Sequence, residues 1–400
     1  MPALACSTLV TCASSRAPVR SPAAPEVIRD AVLAWEGDTL TYAGPRSGWD
    51  GSVDEEMAGR TLIPGFVDCH THLPFFGWRD DEFEARLAGR SYRELHGEGG
   101  IPRSARMLAA ATDDEVLEFC APLVREMAAH GTTALELKTG YGLSVEAELR
   151  QARLARRLAE EAPQTATVTL LACHAVPEGV SRDDWVRQAC DELIPTAVAE
   201  GLVDAVDIYV EDIAFTVGDL GQVAEAAGAA GVPVRCHADQ LGNTRAAEAA
   251  VAFGARSADH LNHSDDLGIR SLGVADTAAV LLPCSTLTLD AAVPRVRALR
   301  EAKAALAIAT DCNPGTSPVV SMPEAVATAC SLYRLQPLEA LVAATLNPAW
   351  VLRLDHTLGS LEAGKRADLV VLEGEDFRMV PYRPGHNPVV RTIVGGAPLD

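Results

Sequence analysis

The sequence predicts an α/β protein whose main part is a (β/α)8 TIM barrel, with a small β-sandwich domain formed from both chain termini. Between about residues 62 and 350, eight short β-rich runs alternate with helical stretches rich in Ala, Leu, Glu and Arg. Such alternation is typical of parallel strands joined by crossover helices. Polar residues also follow seven of the eight runs, and the active site of a TIM barrel lies at the C-terminal ends of its strands.

The predicted barrel strands follow one another in chain order. They are Leu62–His70, Thr132–Leu137, Ala166–Cys173, Ala205–Val210, Val232–Cys236, Ser257–His260, Ala278–Pro283 and Leu306–Thr310. The segments between them have helical composition, for instance Val145–Glu160 and Thr244–Phe253. Short β runs with turn residues occupy both chain ends. The predicted domains are therefore residues 62–351 for the barrel and residues 1–61 with 352–400 for the small β-sandwich.

Composition limits the classes of partner. With 48% hydrophobic and 22% charged residues over 400 positions, the chain is typical of a globular protein with one large and one smaller domain. The net charge of −21 argues against nucleic acid or an anionic membrane surface, although a few local cations could still bind an anionic small molecule.

Targeting signals and cysteine usage indicate the compartment. No apolar run approaches the roughly 18 residues that cross a bilayer, and the N-terminal residues lack the basic start of a secretory signal. The ten cysteines are scattered along the chain rather than set in a dense framework. We therefore expect a cytoplasmic protein with reduced thiols.

His70 and His72 are the most informative residues of the chain. They close the apolar run that starts at Thr61, and residues two apart on a strand point the same way. Two neutral imidazoles that converge at a strand end suit a divalent transition metal. The alternative is that they are two polar residues at a strand terminus.

The other strand ends repeat this pattern, and only the seventh strand lacks a polar residue there. The polar residues at the ends of the others are Lys138, His174, Glu211, His237, His260 and Asp311. Four cysteines are their sequence neighbours: Cys69, Cys173, Cys236 and Cys312. Because neighbours on a strand face opposite ways, we expect these thiols to pack outward as small apolar groups rather than to act as nucleophiles or ligands.

With these residues assembled, the chain resembles the amidohydrolase superfamily and, within it, the imidazolonepropionases, which open a ring in histidine degradation. Pro64–His72 and Gly359–Leu369 are typical of the superfamily generally. The narrower resemblance rests on Asp81–Tyr92, Glu136–Leu143, His174–Pro177, His237–Leu241, Ser257–Leu261 and, most specifically, Ala309–Ser317. It covers nearly the whole chain and implies the TIM barrel, a hydrolase that acts on a cyclic amide, and a homodimer.

The resemblance implies a single metal ion, Zn or Fe. Its ligands would be His70, His72, His237 and Asp311. Other superfamily members hold two metals with a lysine on strand 4, where this chain has Glu211. Three imidazoles and a carboxylate leave room for water or substrate, as a catalytic site requires. Read without the resemblance, Asp311 could instead be a helix N-cap.

The resemblance also implies which residues hold the substrate. They are Arg79, Tyr141, His174, Gln240, Asn313, Gly315 and Thr316. A guanidinium at Arg79 suits bidentate capture of a propionate carboxylate, although read alone it could be a solvated loop residue. The catalytic groups would be His260, Asp311 and His174, while Lys138 and Glu211 are expected to be structural partners. Without the resemblance, His174 and His260 could each be a core histidine whose hydrogen bonds are made within the protein.

The implied reaction is hydrolysis of 4-imidazolone-5-propanoate to N-formimidoyl-L-glutamate. Water activated by the metal would attack the ring carbonyl, His260 would help to stabilise the oxyanion, and Asp311 would move a proton to the leaving ring nitrogen. Gln240 stands where some members have Glu, so no general-base role is assigned to it. The segments after strands 6 and 7 depart from the family pattern. A deaminase of a nitrogen heterocycle is the second interpretation, and a scaffold without activity is the third.

Overall fold

The computed structural model describes residues 2–91, 93–95 and 99–399, so Met1, Asp400 and Tyr92 of the Asp81–Tyr92 segment lie outside the described residues. The strands, in chain order, are β1 (Ala3–Val10), β2 (Val27–Glu36), β3 (Thr39–Pro45), β4 (Glu55–Pro64), β5 (Phe66–Asp68), β6 (Thr132–Lys138), β7 (Thr165–Cys173), β8 (Ala205–Val210), β9 (Val234–Ala238), β10 (Ser257–His260), β11 (Ala278–Leu281), β12 (Leu306–Ile308), β13 (Leu369–Leu372), β14 (Val389–Val394) and β15 (Ala397–Pro398).

The predicted TIM barrel is confirmed. Strands β5 to β12 form one eight-stranded sheet in chain order, and each hydrogen-bonded pair of neighbours is parallel. The first and last strands meet just beyond their ends, where Asp311 N donates to His70 O at 3.0 Å and His72 N donates to Cys312 O at 2.8 Å. Closure of the barrel therefore places the candidate ligands of strands 1 and 8 side by side.

The first barrel strand is shorter than predicted, because the Leu62–His70 run divides at Gly65. Residues 61–64 pair with β13 in the other sheet, and β5 begins only at Phe66. A Cβ atom at Gly65 would lie 2.0 Å from Oγ1 of Thr133, so this crossing point requires glycine. The apolar pattern could not reveal the division, since the residues on both sides of it are buried. The predicted domain limits stay a prediction.

The two chain ends form a seven-stranded sheet in the order β15-β14-β13-β4-β1-β2-β3, in which only the β1–β4 pair is parallel. The ends combine as predicted, but into one mixed sheet rather than two packed sheets. This sheet curls, so that Thr39 on β3 bridges Arg366 beside β13. The curl encloses an apolar cluster that includes Leu33, Trp35 and Val371, so the short β runs of the two chain ends share one core.

Fifteen α-helices are described, most of them between the barrel strands. They are α1 (Asp80–Leu87), α2 (Gly100–Ala110), α3 (Asp113–Ala129), α4 (Val145–Glu161), α5 (Arg182–Gln188), α6 (Ile194–Ala199), α7 (Val217–Ala230), α8 (Ala246–Ala252), α9 (Asp266–Val274), α10 (Pro283–Thr288), α11 (Val296–Glu301), α12 (Met322–Tyr333), α13 (Pro337–Ala343), α14 (Leu346–Val351) and α15 (Met379–Tyr382). In the part of the chain that the structure describes, none of them has the length and apolarity needed to span a membrane.

The four cysteines beside the polar strand ends are structural, as predicted. Each is fully buried and belongs to an apolar cluster. Burial raises the pKa of all four thiols well above the usual value, so they stay protonated and poorly suited to ligate a metal.

Candidate active site

Four side chains converge at the C-terminal end of the barrel: those of His70, His72, His237 and Asp311. Nε2 of His72 lies 3.3 Å from Nε2 of His70 and 3.5 Å from Nε2 of His237. Oδ1 of Asp311 lies 3.3 Å from Nε2 of His72 and 3.6 Å from Nε2 of His70. All four residues are at most 4% exposed. The structure thus brings together the four residues that the resemblance implied as ligands.

The separations among Nε2 of His70, Nε2 of His72 and Oδ1 of Asp311 fit ligation of a single metal ion, and Nε2 of His237 lies at a matching distance from that of His72. Ligand atoms at about 2.1 Å from a tetrahedral metal lie about 3.4 Å from one another. Burial, followed by the charge of neighbouring groups, lowers the pKa of His70 and His72 well below the usual value, so both rings are neutral, as metal ligation requires. Three imidazoles and one carboxylate are a donor set that divalent transition metals accept.

The backbone is bent where the strands reach this site. His260 and Asp311 have φ angles of 76° and 57°, in the left-handed region that disfavours residues other than glycine by about 1–2 kcal/mol. Strain of this kind persists where the surrounding structure imposes it, typically at functional sites. Because His260 turns out of the regular strand, both it and Asp259 contact the rings of the site.

In the described part of the chain, two groups of three residues have ligand atoms close enough to hold a metal. One is His70, His72 and Asp311, and the other is His70, His237 and His260. The ring centroid of His260 lies 5.4 Å from that of His237. Burial lowers the pKa of His260 to about 3, although Asp311 opposes this shift. His260 is therefore a neutral imidazole that can donate one hydrogen bond in the site.

Two carboxylates behind the ligands fix the orientation of their rings. Nδ1 of His70 lies 2.6 Å from Oδ2 of Asp259, and Nδ1 of His237 lies 3.2 Å from Asp207. Carboxylates in this position hold the proton on Nδ1 and direct the Nε2 lone pair toward a metal. Neither carboxylate was predicted from the sequence.

A buried ionic network supports these carboxylates. Arg235 bonds Glu136 and donates from Nη2 to Asp259 at 3.1 Å. Lys138 donates to Asp207 at 2.6 Å and lies 2.9 Å from Glu136. Burial alone would raise the pKa of Asp207, but Lys138, His237 and Arg235 together hold it well below the usual value. Lys138 is thus a structural partner, as predicted.

A cavity above the candidate ligands contains most of the predicted substrate-binding residues. Among the residues that the structure describes, its lining consists of His72, Arg79, Ile101, His174, Tyr209, His237, Gln240, His260, Asp311, Asn313 and Thr316. Tyr141 and Gly315 do not line it: the ring of Tyr141 packs 5.3 Å from that of His174. Ile101 and Tyr209 were not predicted. Glu211 does not line it either, and its Oε1 accepts from Leu241 N at 2.9 Å, as expected of a structural partner.

A sequence model of the amidohydrolase family matches residues 61–398. This chain belongs to the amidohydrolase family. It is 42% identical to the imidazolonepropionase of Methylobacterium nodulans, over 92% of this chain and 94% of the relative. It is 40% identical to the imidazolonepropionase of Stenotrophomonas maltophilia, over 93% of each protein. The resemblance predicted from the motifs is confirmed.

Solved structures show the same fold as this amidohydrolase. An adenosine deaminase from Xanthomonas campestris with bound zinc superimposes with a TM-score of 0.73 at 20% identity, over 99% of this chain and 92% of that one. The guanine deaminase of E. coli gives 0.72 at 17% identity, over 100% of this chain and 99% of that one. At such identities the likeness concerns the fold alone. The family and the His/Asp site together support a divalent metal ion.

Arg79 of this amidohydrolase is held by the protein on two sides. Its Nη1 donates to Gly100 O and to Oγ of Ser104, both at 2.8 Å, and its Nε lies 3.2 Å from the Glu82 carboxylate. Nη2 lies over Gly315, where a Cβ atom would approach it to 1.8 Å. The protein thus engages Nη1 and Nε of Arg79, and capture of a ligand carboxylate by this residue stays a prediction.

The loop that follows Asp311 is bonded to itself. Oδ1 of Asn313 accepts from Gly315 N at 2.9 Å and from Thr316 N at 2.7 Å. Nδ2 of Asn313 donates to Asp311 O at 2.7 Å. These bonds make Asn313 an organiser of the loop, which in turn fixes the backbone of Asp311.

Proposed function

We propose that this amidohydrolase acts as an imidazolonepropionase. It would hydrolyse the cyclic amide C–N bond of 4-imidazolone-5-propanoate and yield N-formimidoyl-L-glutamate in histidine degradation. The observation that carries this proposal is the presence, in one cavity, of converging metal-ligating side chains and a buried arginine. The chain is also 42% identical to an imidazolonepropionase over most of its length.

We propose that the metal is one Zn²⁺ or Fe ion held by His70, His72, His237 and Asp311. When bound, such an ion polarises a carbonyl oxygen and lowers the pKa of water toward about 7. Imidazole and carboxylate donors suit both metals, so metal analysis of the purified protein distinguishes them.

The remaining steps fall to residues of the chain. Asp311 would take a proton from the attacking water and deliver it to the leaving ring nitrogen. A carboxylate that lies beside the candidate histidine ligands is within reach of water at that site and can serve as this base. The neutral His260 would donate a hydrogen bond to the oxygen that develops negative charge on the ring carbonyl. These roles require no charged histidine in the site.

Binding of the substrate would orient it for attack. Nη2 of Arg79 would pair with the propionate carboxylate in a charge-assisted hydrogen bond. His174 and Gln240 would contact the ring, while Tyr141 and the loop of Asn313, Gly315 and Thr316 would shape the site around them. Binding energy gained at the propionate end is thereby used to place the ring carbonyl.

The experiment is a turnover assay on purified, metal-analysed protein. Imidazolonepropionate is generated in situ from urocanate by urocanase and followed by its ultraviolet absorbance. We expect loss above the spontaneous rate, formation of formimidoylglutamate without ammonia, and loss of activity in His237→Ala. Activity should persist in His263→Ala, because that side chain is exposed and does not line the cavity. No acceleration by the metal-loaded protein would refute the substrate, and ammonia release from heterocyclic amines would instead support a deaminase.

The proposal also includes a cytoplasmic location and a homodimer. The free cysteines support the first of these. Cell fractionation tests the location, and light scattering of the purified protein tests the assembly, with a monomer contradicting the dimer.

A further inference from the structure

Two side chains of helix α4 hold the loop that follows strand β6. Oε2 of Glu148 accepts from Gly140 N at 3.0 Å, and its Oε1 accepts from Gly142 N at 2.7 Å and Leu143 N at 3.0 Å. Oε1 of Gln151 accepts from Gly140 N at 3.1 Å and from Tyr141 N at 2.9 Å. Four consecutive backbone N–H groups are thus bound by two buried side chains.

Gln151 also ties this loop to the one that follows strand β5. Its Nε2 donates to Pro74 O at 2.8 Å, two residues after the candidate ligand His72. Glu148 and Gln151 are 1% and 0% exposed, so neither side chain is available to bulk water. A buried polar network in which each group has its partner fixes one conformation of the loops it joins.

The held loop presents one carbonyl to His174. Gly140 O lies 3.0 Å from Nδ1 of His174. Gly140 has a φ of 115°, and a Cβ atom there would lie 2.7 Å from the same Nδ1. Only glycine therefore allows both this backbone conformation and this close approach of the ring.

This contact determines which nitrogen of a neutral His174 carries the hydrogen. A carbonyl oxygen can only accept, so Nδ1 must be the donor, and Nε2 is then the acceptor. The ring of His174 stacks on that of His72, with centroids 5.1 Å apart and planes 14° apart, and His174 lines the cavity. The tautomer thus decides whether the cavity wall offers an acceptor or a donor at this point.

We propose that Glu148 and Gln151 are positioning residues that, through the Gly140 carbonyl, hold His174 in the Nδ1–H tautomer, so that its Nε2 accepts a hydrogen bond from a ring N–H of the substrate. The identity of that ring, a cyclic amide, rests on the proposed function. The tautomer of His174 does not rest on the proposed function, because it follows from the protein's own contacts. Neither residue of α4 touches the cavity, so both act only through the loop.

The test is the ¹⁵N resonances of His174 in the Zn²⁺-loaded enzyme, labelled at histidine and assigned by comparison with His174→Gln. Long-range ¹H–¹⁵N correlation distinguishes a protonated from an unprotonated ring nitrogen. The variants are Glu148→Gln, which replaces one accepting oxygen with an amide NH₂, and Glu146→Gln, the same change at an exposed position of the same helix. Turnover of imidazolonepropionate is measured in parallel.

In the wild-type enzyme and in Glu146→Gln, we expect Nδ1 to be protonated and Nε2 unprotonated. In Glu148→Gln, the two resonances should move toward values for mixed tautomers, and kcat/KM should fall about tenfold, as expected for one misplaced hydrogen bond. An Nε2–H tautomer in the wild type, or unchanged resonances in Glu148→Gln, would overturn the proposal. If Glu148→Gln does not fold, Gln151→Glu takes its place with the same criteria. The spectra are recorded without substrate, so they test the tautomer even if the protein does not turn over imidazolonepropionate.

Discussion

Replacement of Asp259 with asparagine should weaken metal binding without removing a ligand. Oδ2 of Asp259 lies 2.6 Å from Nδ1 of His70 and 3.1 Å from Nη2 of Arg235, and all three side chains are buried. Asparagine keeps the shape of the side chain but removes its charge. The ring of His70 then becomes a poorer electron donor and is held less firmly toward the metal.

Two magnitudes follow from these two contacts. Loss of a partner behind a metal ligand typically lowers metal affinity about 10–100-fold, which corresponds to about 1.4–2.7 kcal/mol of binding free energy. The free energy of unfolding of the metal-free protein should also fall, by at most about 3–5 kcal/mol, because Arg235 loses one of its buried carboxylate partners. Arg235 keeps Glu136, so we expect the lower part of that range.

The matched control is Glu136→Gln. Glu136 is equally buried and also faces Arg235, but its described contacts are with Arg235, Lys138, Thr169 and Thr71 rather than with a candidate ligand. Both variants should lower the thermal midpoint of the metal-free protein, and only Asp259→Asn should raise the dissociation constant for the metal, measured by competition with a chelator. Equal metal affinity in the two variants would show that Asp259 does not support His70 as a ligand.

Three further outcomes follow from the structure. Gly315→Ala should displace Nη2 of Arg79, since the added Cβ would approach it to 1.8 Å, and should lower kcat/KM about 10–100-fold through loss of a charge-assisted bond. The control is Gly242→Ala, whose Cβ would meet nothing closer than 4.0 Å. Equal kcat/KM in the two variants would contradict this expectation. Burial raises the pKa of Glu211 from 4.5 to about 7, so its protonated form stabilises the fold fully below pH 4.5 and that stability is lost as the pH rises through 7. The unfolding free energy of the wild type, relative to that of Glu211→Gln, should therefore fall by up to about 3 kcal/mol between pH 4.5 and 7. If denaturant titrations show a difference between the two proteins that does not change with pH, this expectation is wrong. Removal of the metal by a chelator should lower the thermal midpoint of the wild type, and added Zn²⁺ should restore it; an unchanged midpoint would count against a metal in the buried site.

The ligands could be predicted from the sequence because each belongs to a strand end. His70, His72, His237 and Asp311 follow apolar runs, and the barrel rule places all such ends on one face. No knowledge of which strand touches which was needed. The division at Gly65 was missed because both of its halves are apolar and buried, and periodicity reports burial rather than the sheet to which a residue belongs.

The support of the ligands could not be predicted in the same way. Arg235 lies two residues before His237 and so faces the same interior, which is a signal that an ionic partner must exist. The identity of its partners, Glu136 and Asp259, depends on contacts between different strands. The position of the Arg79 guanidinium likewise depends on contacts with Gly100 and Ser104 of helix α2, which are distant from it in sequence.

We propose that one metal ion is held by His70, His72, His237 and Asp311. The most direct test is anomalous diffraction at the absorption edge of the metal found in the purified protein. We expect one peak at about 2.0–2.3 Å from Nε2 of the three histidines and from the Asp311 carboxylate. A peak bound by His260 in place of His72, or a second peak that involves Lys138 or Glu211, would contradict it.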